Sequence, residues 1–268
     1  MKTLVIADVH EQVVRLSGIL KRESDYTKAV FTGDYFDSKC AEVAGVDKTL
    51  EMVLDLVEDS RNVLLIGNHD AHYIFPNNPY IACSVKSARY MQTIGAQIHV
   101  LKKHLKFYHY DTTLKVLFSH AGITDKLYEK AFSDLSIDDK LKFLDSTLAA
   151  AAVQLITRDN PDKLVSVGYE RGGMNNYGGL FWGDIRKHFP VPGLKQIFGH
   201  TQVDEPVAVT LNGPSGGAFP LISTPDYKPA ESYSIGNDTG LDTYLSIENG
   251  IATIKNSDTG EVRGQFQI

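Results

Sequence analysis

Cysteine is nearly absent from this chain. Cys40 and Cys83 are its only thiols in 268 residues. Two are too few for a disulfide framework, so a reducing compartment is expected. No apolar run approaches the length that crosses a bilayer, so no membrane partner is expected. One Lys and a short apolar run precede Asp8, too little for a signal-peptide core, and the run reads as a buried strand. Positive charge is not in excess. With 27 Lys and Arg against 33 Asp and Glu, the formal charge is -6. A general nucleic-acid binder would need a basic stripe for the phosphates, so that class is set aside. There is no internal repeat and no low-complexity tract. A cytoplasmic protein is therefore expected.

What is present is a large apolar fraction, 43% of the chain, enough for one α/β domain with a substantial core. Thr3 to Ala7, Ala29 to Thr32 and Asn62 to Ile66 read as strands. Helical stripes lie between them at Val13, Leu16 and Leu20, and at Val46, Leu50, Val53, Leu54 and Val57. Such alternation predicts a parallel sheet with crossover helices. Pro76, Asn77, Asn78 and Pro79 mark a loop, and Ser84 to Gly95 a helix. Phe107 to Tyr110 and Lys115 to Phe118 read as antiparallel strands joined at Asp111-Thr112-Thr113. A helix is predicted from near Ser136, with Asp139 at the capping-box position, a stripe at Leu141, Leu144, Leu148 and Leu155, and Asn160-Pro161 at its end.

Beyond residue 200 the pattern turns to short strands: Val207 to Thr210, Ser232 to Ile235, Thr243 to Ile247 and Ile251 to Ile254. Asn249-Gly250 is a hairpin signal between the last two. The expected fold is α/β, a two-sheet sandwich with flanking helices. Composition changes near residues 120–125, but the motifs on both sides must meet. One domain over residues 1–268 is therefore expected, with a partly helical lid or insert at about 125–190.

Six segments carry the chemistry: Asp8-Val9-His10, Gly33-Asp34-Tyr35-Phe36-Asp37, Gly67-Asn68-His69-Asp70, Ser119-His120-Ala121-Gly122, Gly199-His200-Thr201 and Asn237-Asp238-Thr239-Gly240. The first five end or closely follow an apolar run, the way an α/β sheet presents polar residues at its strand tips. Carboxylates, imidazoles and an amide oxygen, with no thiolate, suit Mn, Fe, Zn or Mg. Asp8 and His10 alternate along the chain, so on an extended segment both would point to one side and grip one cation. A carboxylate at Asp34 has two oxygens and can bridge two ions. Two cations roughly 3.5–4 Å apart can hold a shared hydroxide and grip the oxygens of a phosphoryl group in an in-line displacement.

The order D-x-H, G-D-x-x-D, G-N-H-D, H-A-G, G-H-T resembles that of the calcineurin-like metallophosphoesterase superfamily, over residues 8 to 201. His120-Ala121-Gly122-Ile123, Phe198 to Val203 and Asp238-Thr239-Gly240 are similar to one branch of it, the phosphoprotein phosphatases and bacterial diadenosine tetraphosphate hydrolases. The resemblance implies a four-layer α/β/β/α sandwich and two divalent metal ions, Mn first, with Fe, Zn, Ni or Mg as alternatives. It implies that Asp8 and His10 hold one ion, Asp34 bridges, and Asn68, His120 and His200 hold the other. It also implies that His69 is the general acid on the leaving oxygen, oriented by Asp37. A carboxylate partner keeps such a His protonated near neutral pH.

The sequence departs from the family pattern at four places. Gln202 stands where many members have a second His. Ser38 replaces the phosphate-binding Arg that follows G-D-x-x-D in the branch. Glu11 stands at a usual Gly, and Asp70 at a usual Glu. A replacement clamp is expected at Arg171, which precedes two glycines, or at Arg186, which follows Phe181-Trp182-Gly183-Asp184. Tyr35, Tyr73 and Tyr177 are candidates to stack on a base. His99, His104, His109 and His188 read as surface or strand residues, and His72 as a candidate pocket residue.

The expected activity is metal-dependent hydrolysis of phosphate monoesters, on a phosphorylated protein or a small phosphate compound, in the manner of a serine/threonine phosphoprotein phosphatase. A dinucleoside polyphosphate hydrolase is the alternative. A phosphodiesterase or nuclease is less favoured because of Gln202, and a non-catalytic binding module because no expected ligand is lost.

Overall fold

The apolar run Leu4-Val5-Ile6 is buried on both sides, and its alternation organises the molecule. In this computed structural model, which describes residues 1–38, 45–76, 78, 80–81, 88–210, 219–221 and 232–268, the run lies in β1 (Lys2–Ile6). Leu4 and Ile6 join a core with helices α1 (Val13–Arg22) and α2 (Val46–Glu58) through Leu16, Ile19, Leu50 and Val53. Val5 faces the other way, into a second core shared between two sheets. The same parity holds in β2 (Lys28–Phe31), where Ala29 and Phe31 face helices and Val30 faces the inter-sheet core.

The first sheet has the order β12-β11-β10-β1-β2-β3. Its strands β1, β2 and β3 (Asn62–Leu64) are parallel. Antiparallel to β1 runs β10 (Thr243–Glu248), followed by β11 (Ile251–Asn256) and β12 (Val262–Gln267). The second sheet has the order β4-β5-β6-β9-β7-β8. Here β5 (Val116–Ser119), β6 (Lys195–Phe198) and β9 (Tyr233–Gly236) are parallel. Beside them β4 (Tyr108–Asp111) and β7 (Val207–Thr210) run antiparallel, and β8 (Phe219–Pro220) pairs antiparallel with β7. Val116, Phe118, Ile197 and Ile235 from this sheet meet Val5, Val30, Leu245 and Ile247 from the first. The result is the expected two-sheet α/β sandwich with helices outside. The parallel sheet expected from the strand–helix alternation is half of a mixed one, because the C-terminal strands add to its edge as an antiparallel meander.

Between β3 and β4 lie α3 (Asn68–Ile74), α4 (Ala88–Gly95) and α5 (Ile98–His104). The short α6 (Lys130–Ser133) and long α7 (Ile137–Thr157) follow β5. Ser136 caps α7 as expected, accepting from the Asp139 N–H, and Leu144, Leu148, Ala151 and Leu155 are its buried stripe. The helix ends at Arg158 in a left-handed conformation, before Asn160-Pro161 is reached. Asn249 and Gly250 both have positive φ, as a two-residue type I′ hairpin requires. Cys40, Cys83, Asn77, Pro79 and the first part of the helix expected at Ser84 lie outside the described residues. Among the described residues no helix is long and apolar enough to cross a membrane.

One ionic cluster ties the first sheet to α1. Glu23, 3% exposed at the end of α1, accepts from the Tyr244 hydroxyl and the Lys255 ammonium at 2.6 Å each, and pairs with Lys2 at 2.5 Å. Burial pushes its carboxyl up, but the bonds to Lys2, Lys255 and Tyr244 outweigh that and hold it at about 2. A depressed carboxyl stabilises the fold above its unfolded pKa of about 4.3. That contribution is lost as the pH falls toward 2. Glu23→Gln should therefore lower the unfolding free energy by roughly 2 kcal/mol at pH 7. The gap to the parent should close as the pH falls from 5 to 2. Denaturant melts at both ends of that range measure it, and a gap that does not change with pH would contradict the assignment.

Candidate metal centre

Six strands that run parallel within their sheets, β1, β2, β3, β5, β6 and β9, bring their carboxyl ends to one edge of the sandwich. The motifs follow those ends. Asp8 and His10 come after β1, Asp34 after β2, Asn68 and His69 at the start of α3 beyond β3, His120 after β5, and His200 after β6. Two ligand-bearing triads form there, Asp8 with His10 and Asp34, and Asp34 with His120 and His200; within each, the potential ligand atoms lie within 4.8 Å of one another. Asp34 belongs to both. Asn68 Oδ1 joins the second, 2.8 Å from His200 Nδ1 and 2.9 Å from His120 Nε2.

Asp8 and His10 are not on an extended segment. Their φ angles are 47° and 42°, and Asp34 and His200 have 55° and 68°, so four of the six candidate ligands sit in the left-handed region. Asp and His tolerate it better than most residues, yet each such residue stores strain. Backbone bonds over-determine these turns. The His10 and Glu11 N–H groups donate to the carbonyls of Asp34 and Tyr35 at 2.8 Å each. The Asp70 carboxylate accepts from the N–H groups of Asp34 (2.7 Å), Tyr35 (2.9 Å) and Gly67 (2.9 Å), tying the second motif to the third. The sequence offered a signal for this in the capping position of Asp70, three residues after Gly67.

Two glycines make room for the carboxylates. A Cβ on Gly67 would lie 2.1 Å from Asp34 Oδ1, and one on Gly199 would lie 2.0 Å from Asp8 Oδ2. The backbone then serves as donor. The His69 N–H reaches Asp34 Oδ1 at 2.9 Å, and the His200 N–H reaches Asp8 Oδ2 at 3.0 Å.

The donor set fits cations. His120 Nδ1 lies 2.8 Å from the Thr32 carbonyl, and His10 Nδ1 lies 2.9 Å from the Phe36 carbonyl. A carbonyl only accepts, so the proton of each ring is on Nδ1 and the lone pair is on Nε2. The His120 Nε2 lone pair then faces the Asn68 and His200 acceptors and lies 3.5 Å from Asp34 Oδ2. Lone pairs converging this closely suit a cation between them. Among the described residues no Lys or Arg lies within ion-pair distance of Asp8 or Asp34. Burial and the charges of Asp238 and Asp34 push the Asp8 carboxyl up. Burial pushes Asp34 up too, but the surrounding imidazoles, His120 foremost, outweigh it and hold it at about 2. Burial keeps His120 and His200 below the ordinary imidazole range, in the neutral form that ligates metal.

Beside the triads, His69 Nδ1 lies 3.1 Å from Asp37 Oδ2, and the His69 ring meets the His10 ring edge-on at 5.2 Å. The Tyr73 hydroxyl donates to the other Asp37 oxygen. Tyr73 is 2% exposed and Tyr35 0%, so neither can stack on a base as expected; both rings are buried in the helix-side core. Tyr177 is half-buried, edge-on to Phe189. His188 is a buried residue bonded to Ser234, not a surface one. His72 is half-buried on α3, edge-on to Tyr73 and outside both triads.

The two arginines share one acceptor. Asp184 takes the Arg186 Nε at 2.8 Å and its Nη2 at 2.5 Å, while Arg171 Nη2 stays 3.9 Å away. Arg186 is the more exposed of the two, and Arg171 is among the charges that act on His200. Trp182, which in the sequence stands only as part of the Phe181 to Asp184 motif, packs its ring against His200.

A family model described as calcineurin-like phosphoesterase matches residues 1–204. No curated protein matches the sequence. Among solved structures, the chain is similar to the cold-active protein-tyrosine phosphatase of a psychrophilic Shewanella, with 17% identity, 97% of this chain and 80% of that chain covered, and a TM-score of 0.55. Another structure of a cold-active protein-tyrosine phosphatase has 17% identity, 97% and 78% coverage, and a TM-score of 0.53. A serine/threonine phosphatase from Saccharomyces cerevisiae has 12% identity, 93% and 73% coverage, and a TM-score of 0.47. At these identities the likeness of the first two is one of fold, and that of the third is too loose to add to it.

Gly199→Ala should drive Asp8 from its place without touching any ligand. Bound manganese, measured after dialysis against a metal buffer, should show one equivalent weakened by at least about tenfold. Unchanged binding of both equivalents would mean that the Asp8 carboxylate is not a ligand.

Proposed function

We propose that this chain, which belongs to the calcineurin-like phosphoesterase family and is a phosphoester hydrolase, uses two divalent cations to hydrolyse phosphate monoesters in the manner of a serine/threonine phosphoprotein phosphatase. The observation that carries the reading is the pair of ligand triads sharing Asp34. Asp8, His10 and Asp34 would hold one cation. Asp34, Asn68, His120 and His200 would hold the other. Manganese is the first choice for this oxygen and imidazole set, with Fe, Zn, Ni and Mg accepting the same ligands. Such cations supply Lewis-acid charge to phosphoryl oxygens and lower the pKa of water.

The remaining work falls to the chain's own groups. His69 gives its proton to the leaving oxygen. Asp37 holds the ring through Nδ1, and Tyr73 fixes Asp37 in turn. Arg171 is the better candidate for the outward phosphate oxygens, because the fork of Arg186 is engaged by Asp184. Residues 125–190, which carry Arg171 and Trp182, are read as a partly helical lid or insert of one domain spanning 1–268. The burial of Tyr35 and Tyr73 removes two surfaces on which an adenine could stack, which favours a phosphoprotein over a dinucleoside polyphosphate. A cytoplasmic location, with no nucleic-acid or membrane partner, accords with the charge balance and the scarcity of cysteine.

Manganese-loaded protein offered a phosphoserine peptide, diadenosine tetraphosphate and a phosphodiester should turn over the peptide fastest. Preference for the dinucleotide would replace the phosphatase reading with the hydrolase one. His69→Asn should leave metal content near normal and reduce turnover of the peptide by about 10²–10⁴-fold. The loss should be smaller on p-nitrophenyl phosphate, whose leaving group needs no proton. An equal loss on both substrates would contradict the acid role. Arg171→Ala should raise KM and lower kcat/KM, and Arg186→Ala should change both far less. The reverse order would make Arg186 the clamp.

A further inference from the structure

The three candidate histidine ligands are not held alike. His10 and His120 each donate Nδ1–H to a backbone carbonyl, of Phe36 and Thr32, and turn Nε2 to the centre. His200 is reversed. Its Nδ1 faces Asn68 Oδ1 at 2.8 Å and His120 Nε2 at 3.2 Å. A ligating Nδ1 puts the ring proton on Nε2. That Nε2 is enclosed and has no hydrogen-bond partner among the described residues. Outer partners of metal-bound histidines are ordinarily a carboxylate, a carbonyl or water, and they fix both tautomer and ring angle. The neighbour found here is aromatic. The Trp182 ring stands perpendicular to that of His200, at 81° and 5.6 Å between centroids. Trp182 is 8% exposed, and its own Nε1 is also without a partner.

We infer that Trp182 is a positioning residue for His200, its indole face taking the Nε2–H in place of the usual oxygen acceptor. This rests on the two-metal reading of the site. An aromatic face is a weak acceptor, so it orients the ring while adding little to the basicity of the ligand. Trp182 immediately precedes Gly183 and Asp184, and Asp184 holds Arg186 and lies near Arg171. The segment that carries the anion clamp therefore also steadies a ligand of the second cation.

The test uses Mn(II) alone as the probe, titrated into the full chain and followed by the paramagnetic signal of free metal. Wild type should take two equivalents. Trp182→Leu, which keeps bulk without a π face, should weaken only one of them, by about three- to fivefold. Trp182→Phe, which restores a face, should stay within about twofold of wild type. Equal weakening in both variants would reduce Trp182 to packing and overturn the inference, as would unchanged binding in the Leu variant. A wild type that takes fewer than two equivalents would instead overturn the two-metal reading. The ring contact is decided without any variant at position 182. In zinc-loaded wild type, the His200 Nε2–H proton should resonate upfield of the Nδ1–H protons of His10 and His120, shielded by the indole. A downfield position, as an oxygen acceptor gives, would overturn the inference even if the Leu variant fails to fold.

Discussion

Charge balance at one edge of the sandwich governs the rest of this structure. Asp8, Asp34 and Asp238 are each 5% exposed or less, and the charges of Asp34 and Asp238 both bear on Asp8. Two carboxylates about 4 Å apart repel by about 4 kcal/mol at an effective dielectric of 20. A domain whose total stability is about 5–15 kcal/mol cannot accumulate several such contacts without compensation. Neutral imidazoles supply dipoles but no net charge. Under the proposed reading the compensation comes from cations that are not side chains, for which the lone pairs of His10, His120, His200 and Asn68 are set.

The cost of holding that arrangement open is borne by the backbone. Left-handed turns at Asp8, His10, Asp34 and His200 place side chains that extended strands would have splayed apart. Each turn is locked by amide bonds to a neighbouring strand tip, and Asp70 collects three amides from two motifs. The cross-links join tips of different strands, so the strain at one ligand is resisted by the whole parallel portion of a sheet. Sequence positions far apart are thereby made one rigid unit, as a site built for charge stabilisation requires.

Much of this was legible in the sequence, and the reasons for what was not are physical. Strands such as Leu4-Val5-Ile6 are buried on both faces, so their uninterrupted apolar runs stand out. The hairpin at Asn249-Gly250 declares itself by turn chemistry. Strand β12 does not, because it is an edge strand with only Phe266 fully buried, and its polar residues carry no alternation. The motif order brought every candidate ligand to one place on paper. It could not give the left-handed turns, which depend on bonds between tips, nor the burial of Tyr73, which depends on which side of α3 meets the core, nor that of Tyr35, which lies in the turn after β2. Asp70 looked like a departure from a pattern; its role as a bridge between motifs needed the third dimension.

Two other departures from the family pattern are a single structural event. The Glu11 carboxylate turns inward, buried, and accepts from the Ser38 N–H at 3.2 Å and from the Tyr90 hydroxyl at 3.0 Å. Glu11 stands where the family pattern has a glycine, and Ser38 where it has the anion-binding arginine. A buried glutamate bonded to the backbone of residue 38 occupies space next to that position with negative charge. Under the proposed reading, such a charge would oppose a phosphate on that side of the site unless it is neutralised there. Recognition of the outward oxygens would then fall to Arg171, whose charge bears on His200 and whose guanidinium stays 3.9 Å from an Asp184 already held by Arg186. A pair at that distance is looser than a bidentate one, so less is lost when the guanidinium turns to an incoming anion. Exchanging Glu11 and Ser38 for the family residues one at a time would break this pairing. A lone arginine at 38 would meet the Glu11 carboxylate rather than a substrate, and a lone glycine at 11 would leave a cavity with no charge to fill it.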